Sequence, residues 1–188
     1  MLLAIPTILV LLGLAVLGYA LSRPDTFRIQ RSVLIAAPPE QVYPLIVDLH
    51  KWSRWSPYEK LDPTMQRMHT GAEFGPGAVY SWSGNKRIGQ GRMEIVDVQP
   101  PRNIMIKLDF VSPFEAHNIV DFTLAAKDGG KGPGTEVTWA MHGPQPYLSK
   151  LMGLFFSMDQ MVGGQFAEGL ASLKVVAEAT TANVVQPE

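Results

Sequence analysis

Residues 91–111 read GRMEIVDVQPPRNIMIKLDFV, and this stretch decides the fold class. Two runs alternate apolar and polar residues on either side of Pro100-Pro101, the pattern of two strands joined by a tight turn. Folded about the two prolines, the stretch pairs Met93 with Leu108, Glu94 with Lys107 and Ile95 with Ile106. Apolar side chains then meet on one face and opposite charges on the other, as a sheet with one buried face requires. The buried face is expected to carry Met93, Ile95, Ile104, Ile106, Leu108 and Phe110.

The same period recurs outward from this hairpin. Strands are predicted over Phe27–Ile35, Met65–Thr70, Ala78–Ser83, Glu115–Ala126 and Thr135–His142, with Gly, Pro or Asn turn chemistry in the gaps. Val120, Phe122 and Leu124 continue the apolar face, and Val137, Trp139 and Met141 extend it further. Strands in sequence order with short turns make an antiparallel meander. After the first strand, Pro39-Glu40 suits a helix start, and Val42, Leu45, Ile46 and Leu49 share one face. His50–Pro57 reads as a second short helix or turn. From Tyr147 to Ala177, Leu148, Leu151, Phe155, Met158, Val162, Phe166, Leu170 and Leu173 step by three and four residues. That spacing predicts one long helix, with a bend or a close approach at Gly163-Gly164. Ala179–Glu188 is small and polar and reads as a disordered tail.

Composition narrows the function. Of 188 residues, the first 21 hold no Asp, Glu, Lys or Arg, and the remainder suffices for one domain. A net charge of −1 leaves no basic field for nucleic acid. A hydrophobic content of 46% with a mean hydropathy of +0.07 excludes a polytopic membrane protein and a largely disordered one. The absence of cysteine removes disulfides, thiolate nucleophiles and Cys-based metal sites. Met1–Leu21 reads MLLAIPTILVLLGLAVLGYAL, which as a helix spans roughly 30 Å, the bilayer core. A cleaved signal peptide competes, with small residues at Gly18 and Ala20. However, no basic residue opens the segment, and the apolar run exceeds the usual length. The expectation is an uncleaved single-pass anchor over residues 1–22. Arg23, Arg28 and Arg31 follow it, which places the domain in the cytoplasm by the positive-inside rule.

Several stretches carry a resemblance. They are Ile29–Ala36 running into Ala37-Pro38-Pro39-Glu40-Gln41-Val42-Tyr43, Trp52-Ser53-Arg54-Trp55-Ser56-Pro57, and Gly89-x-Gly91-x-Met93. Ile106-x-Leu108-x-Phe110 with Pro113-Phe114, Thr138-Trp139 and Met152–Asp159 complete the set. Together they resemble the START-like SRPBCC superfamily, in particular bacterial polyketide cyclase/dehydrase and lipid-transport-like proteins. The resemblance covers about Phe27 to Ala177, and the domain is set at residues 26–178. It implies an α+β helix-grip fold, a curved antiparallel sheet wrapped around a long C-terminal helix, with a hydrophobic cavity between them. It implies no single reaction, because the fold hosts transporters, cyclases, receptors and chaperone activators.

Motifs for chemistry are sparse. Gly129–Thr135 lacks the spacing of a phosphate loop and precedes a strand, and Gly89-Gln90-Gly91 is better read as close packing. His50, His69, His117 and His142 form no helical ligand pair, and Gly-x-Ser-x-Gly does not occur. No catalytic residue, metal site or cofactor is assigned. Asp109 falls opposite His117 but is expected on the outer face. The apolar stripes instead place Tyr80, Trp82, Phe110, Phe122, Trp139, Met141, Phe155 and Met158 around one interior. A plain filled core is the competing reading; a cavity lined by aromatics and adaptable methionines is the one the resemblance implies. Leu151–Phe156 is apolar all round, either buried under Trp52–Pro57 or exposed to touch a membrane or gate the cavity. The expected function is a membrane-tethered binding module for a hydrophobic small molecule or lipid. Alternatives are a polyketide cyclase/dehydrase-like enzyme and a non-catalytic regulator of a membrane partner. The inward face is expected to be nearly devoid of titratable groups, which favours binding over catalysis.

Overall fold

Strands β4 (Gln90–Gln99) and β5 (Asn103–Ser112) pair with Met93 opposite Leu108, Glu94 opposite Lys107 and Ile95 opposite Ile106. This comes from a computed structural model that describes residues 16–130, 132–153 and 157–184. Towards the turn the register departs from the simple alternation. A bulge at Val96 brings Asp97 opposite Met105 and Val98 opposite Ile104. Without it, Asp97 would oppose Ile104 on the buried face; the extra residue turns the carboxylate outward. The charges on the outer face pair along each strand as well as facing one another across it. Arg92 meets Glu94 at 2.7 Å and Lys107 meets Asp109 at 3.3 Å.

The other strands are β1 (Thr26–Ile35), β2 (Gln66–Gly71), β3 (Ala78–Ser83), β6 (Ala116–Asp128) and β7 (Pro133–Pro144). They form one seven-stranded antiparallel sheet in the order β1-β7-β6-β5-β4-β3-β2. Helix α1 (Pro39–Val47), a 3₁₀ turn (Leu49–Arg54) and α2 (Tyr58–Leu61) connect β1 to β2. The α1 C-terminus explains the spacing of Trp52 and Trp55. Their indole N–H groups donate to the Ile46 and Leu45 carbonyls at 2.8 and 2.9 Å, satisfying acceptors that a helix end leaves open.

The C-terminal third corrects one expectation. It is two helices, α3 (Tyr147–Met152) and α4 (Met158–Val184), where the apolar stripe predicts one. Gly153 closes α3, its N–H reaching the Ser149 and Leu151 carbonyls. The Ser157 hydroxyl accepts from the Gln160 N–H at 3.2 Å and starts α4, and Ser157-x-x-Gln160 has the spacing of a capping box. The stripe passes through both signals unbroken, so periodicity alone does not see them. Helix α4 also continues to Val184, into the stretch read as tail.

Helix α4 lies against the edge strand β1 and is latched to it at three points. Arg31 makes a bidentate pair with Asp159 at 2.8–2.9 Å. Lys174 Nζ donates to the Leu34 carbonyl at 2.6 Å, and the Ala36 N–H donates to Glu178 at 2.7 Å. The last two contacts use backbone groups that an open edge would offer to another chain. Phe166, Leu170, Leu173 and Ala177, the inner stripe of α4, join one buried cluster with Ile35, Val42, Ile46, Val137 and Trp139.

The first fifteen residues of the Met1–Leu21 segment lie outside the described residues, and residues 16–21 are helical. Among the described residues, no helix is long and apolar enough to cross a membrane.

The two glycines of α4 differ in surroundings. A Cβ on Gly163 would stand 2.2 Å from the Arg31 guanidinium, whereas one on Gly164 would meet nothing within 4 Å. Gly163 is thus the close approach, and it lets Arg31 cross the helix to Asp159. Gly164→Ala is expected to stabilise the protein by about 1 kcal/mol through helix propensity. Gly163→Ala is expected to fall short of that gain, because Arg31 must move; chemical denaturation of both variants measures the difference.

Candidate functional site

The inner face of the sheet is covered unevenly. Helix α4 and α1 fill the side of β1, β7 and the far half of β6. The faces of β3, β4 and β5 look into a cavity of about 950 Å³ that opens beside α3. Its wall is mainly aromatic and aliphatic. Trp82 lies across Gly91 on the neighbouring strand, where a Cβ would come within 2.4 Å of the indole. Phe110 meets Trp82 edge-on at 5.8 Å, and Tyr80 stacks beside it at 6.1 Å. Met93, Leu108, Val120 and Met141 continue the wall. Trp139 forms the floor, stacked on Phe166 at 4.2 Å. Its position depends on Gly169, since a Cβ there would come 2.8 Å from the indole.

Of the residues expected to line a ligand site, Tyr80, Trp82, Phe110, Trp139, Met141 and Met158 all border this cavity. Phe122 does not. It is fully buried between Trp52, Trp55 and Trp139, part of the filled half of the core. Its strand period is right, but it lies where α1 and the 3₁₀ turn close over the sheet. Phe155 lies outside the described residues. Met158 and Met161 stand at the mouth, not in the interior.

The wall has a polar corner that the strand pattern does not disclose. Glu59, on α2, reaches the cavity with a side chain only 12% exposed. Its carboxylate accepts from the Tyr80 hydroxyl at 2.6 Å and from Arg67 Nε at 2.7 Å. The expectation of an inward face almost without titratable groups is corrected here: the strands bring few, and a one-turn helix supplies the carboxylate. Tyr58 and Tyr80 are both held above the usual phenol range, Tyr58 by burial and Tyr80 by burial with the Glu59 carboxylate beside it. Both hydroxyls therefore remain protonated, and that of Tyr80 donates to Glu59. Ser56 and Asn118 are further buried polar residues of the lining. The Trp139 Nε1–H has no hydrogen-bond partner. This arrangement can orient one oxygen-bearing end of an otherwise apolar molecule.

The histidines lie away from the wall's centre. His117 borders the edge of the cavity, but its side chain is 62% exposed and bonds to Asp109 at 2.7 Å, directly opposite it in the ladder. His69 stacks on His50 at 4.1 Å, next to Tyr80. Among the described residues, no three His, Asp or Glu side chains converge as metal ligands do.

Comparison with known proteins agrees with this geometry. Residues 26–178 match the family described as polyketide cyclase/dehydrase and lipid transport. No curated protein matches the chain. Among solved structures, a Thermobifida fusca protein is similar with 21% identity and a TM-score of 0.58 over 81% of this chain and 93% of its own. A Mycobacterium smegmatis protein gives 18% identity and 0.57 over 83% and 94%. A Chromobacterium violaceum protein gives 16% and 0.56 over 83% and 99%. At these identities the likeness is one of fold.

The two histidine sites predict opposite pH effects on stability. The Asp109 carboxylate raises the His117 pKa, so that pair stabilises below about pH 6.5 and its contribution fades as pH rises through the folded value. Burial, then His50, lowers the His69 pKa, so the unfolded chain binds the extra proton and stability falls as pH drops below about 6.5. His117→Ala is expected to flatten the alkaline side of the stability profile and His69→Phe the acid side. Denaturation midpoints between pH 5 and 8 would measure both.

Proposed function

The chain belongs to the polyketide cyclase/dehydrase and lipid-transport family, and on that premise we propose that it is a membrane-tethered module that holds a hydrophobic small molecule or lipid. The cavity carries the reading. Its volume of about 950 Å³ is at the upper end for small-molecule sites, and its wall is built from aromatic and methionine side chains. Such groups offer contact area with little directional demand. The Glu59–Tyr80 corner adds one polar recognition point, suited to a hydroxyl, carbonyl or amide at one end of the ligand. Met1–Leu21 supports the tether by its length and lack of charge, and the arginines that follow it support a cytoplasmic domain.

Mass spectrometry of detergent-extracted full-length protein is expected to find an apolar molecule bound. The fluorophore N-phenylnaphthylamine is expected to bind with a negative heat-capacity change. Trp139→Ala enlarges the floor of the cavity, so it should alter the profile of bound molecules and cost about 3–5 kcal/mol of stability. Asp109→Ala, on the outer face and away from the cavity, should leave fluorophore binding unchanged. Loss of binding in that variant, with no effect of Trp139→Ala, would overturn the cavity reading.

A further inference from the structure

The cavity mouth is rimmed by side chains that a water-facing opening does not need. Phe114, Leu148 and Met161 are 72%, 65% and 64% exposed, and Met152 and Met158 are also exposed. All five border the cavity, yet they come from three separate elements: the β5–β6 turn, α3 and the first turn of α4. Large apolar side chains gathered from separate elements into one exposed patch mark an interaction surface.

The course of the chain says what meets that surface. The helical residues 16–21 end beside α3, where the Tyr147 hydroxyl donates to the Leu17 carbonyl at 3.3 Å. The next residues are pinned to the same place. The Gln145 N–H donates to the Asp25 carbonyl at 2.7 Å, and Lys150 Nζ meets the Asp25 carboxylate at 2.5 Å. Gln145 itself borders the cavity. The uncharged segment therefore leaves the domain at the rim of the mouth. Leu17, Tyr19 and Leu21 are exposed there, with Arg23 over the Tyr19 ring at 5.9 Å. An aromatic ring and a cation closing an apolar run are the anchors of a membrane–water interface. Between residue 21 and β1 lie only Ser22 to Asp25, which could span about 14 Å even if fully extended. A domain held so closely cannot turn its mouth far from the plane its tether leaves.

We propose that the rim of Phe114, Leu148, Met152, Met158 and Met161 docks on the lipid bilayer, so that the cavity opens onto the membrane and an apolar ligand passes between the two without crossing water. This rests on the tethered reading above. The occupant of the patch is lipid, not a second copy or residues 1–15, because the segment that would enter the bilayer exits beside it.

The absence of cysteine makes the test direct. Full-length Phe114→Cys, Leu148→Cys, Met161→Cys and Arg102→Cys variants are labelled with a polarity-sensitive nitrobenzoxadiazole dye. They are then reconstituted into phosphatidylcholine/phosphatidylglycerol vesicles. Arg102, in the β4–β5 turn at the opposite end of the strands, is the control. The three rim labels are expected to shift to shorter wavelength and to lose intensity to doxyl-labelled lipid, while the Arg102 label does neither. If the protein floats with the vesicles but the rim labels behave like the Arg102 label, the docking is wrong and the tether stands. If the rim labels shift but doxyl lipid does not quench them, protein covers the patch and the proposal fails. If the protein does not float, both the tether and the docking fall.

Discussion

One helix cannot cover a seven-stranded sheet, and most of the molecule follows from that mismatch. Six inter-strand spacings measure about 29 Å across, whereas a helix with its side chains is about 10–12 Å wide. Curvature brings the sheet around the helix but does not remove the difference. The helix must lie somewhere on the apolar face, and where it lies decides which strands are left uncovered. Arg31–Asp159, Lys174–Leu34 and Glu178–Ala36 hold α4 to β1, at one extreme of the strand order. The inner faces of β3, β4 and β5 are consequently left to α2, the 3₁₀ turn and α3. These elements are short, and the space they leave is the cavity.

The latches thus serve two purposes. They occupy an edge that would otherwise invite another strand, and they displace the covering helix from the centre of the sheet. Small residues set the fine position. Gly163 admits the Arg31 guanidinium and Gly169 admits Trp139 and Pro57, so α4 packs close at both points and Phe166 comes flat against the indole. The break between α3 and α4 completes the arrangement. A continuous helix from Tyr147 would carry its first turns along the axis of α4; the separate α3 sits at the mouth instead.

Much of this was legible in the sequence, and the unread parts share a cause. The hairpin of residues 91–111 declared its register because Glu94–Lys107 and Ile95–Ile106 satisfy charge and burial together. The Asp109–His117 pairing was legible from the centre of the next turn. The bulge at Val96 was not, although its signal is present: simple alternation would have placed Asp97 opposite Ile104 on the buried face. The split at Gly153–Ser157 was hidden because apolar spacing of three and four continues across it, while the capping residues act through backbone geometry. Glu59 was missed because strand period ranks only strand residues, and this carboxylate arrives from a single helical turn after Pro57. Phe122 shows the converse limit. Its period gives the face it points to but not whether that part of the face is filled.

The three buried indoles show how filled and open halves are distinguished chemically. Trp52 and Trp55 donate to the last carbonyls of α1, so their rings are fixed by hydrogen bonds as well as by packing. Trp139 has no acceptor for its N–H, and an unmade hydrogen bond on a buried donor costs about 1–3 kcal/mol. What holds this side chain is area: it stacks on Phe166, meets Phe122 at 5.0 Å and Tyr58 at 6.4 Å, and closes the floor of the cavity. A phenyl ring would remove the unsatisfied donor but leave the floor thinner, because it lacks the second ring that spans from the filled core to the open space. The boundary between core and cavity is therefore set by the size of one residue, at the place where Trp139 stacks on Phe166 of α4.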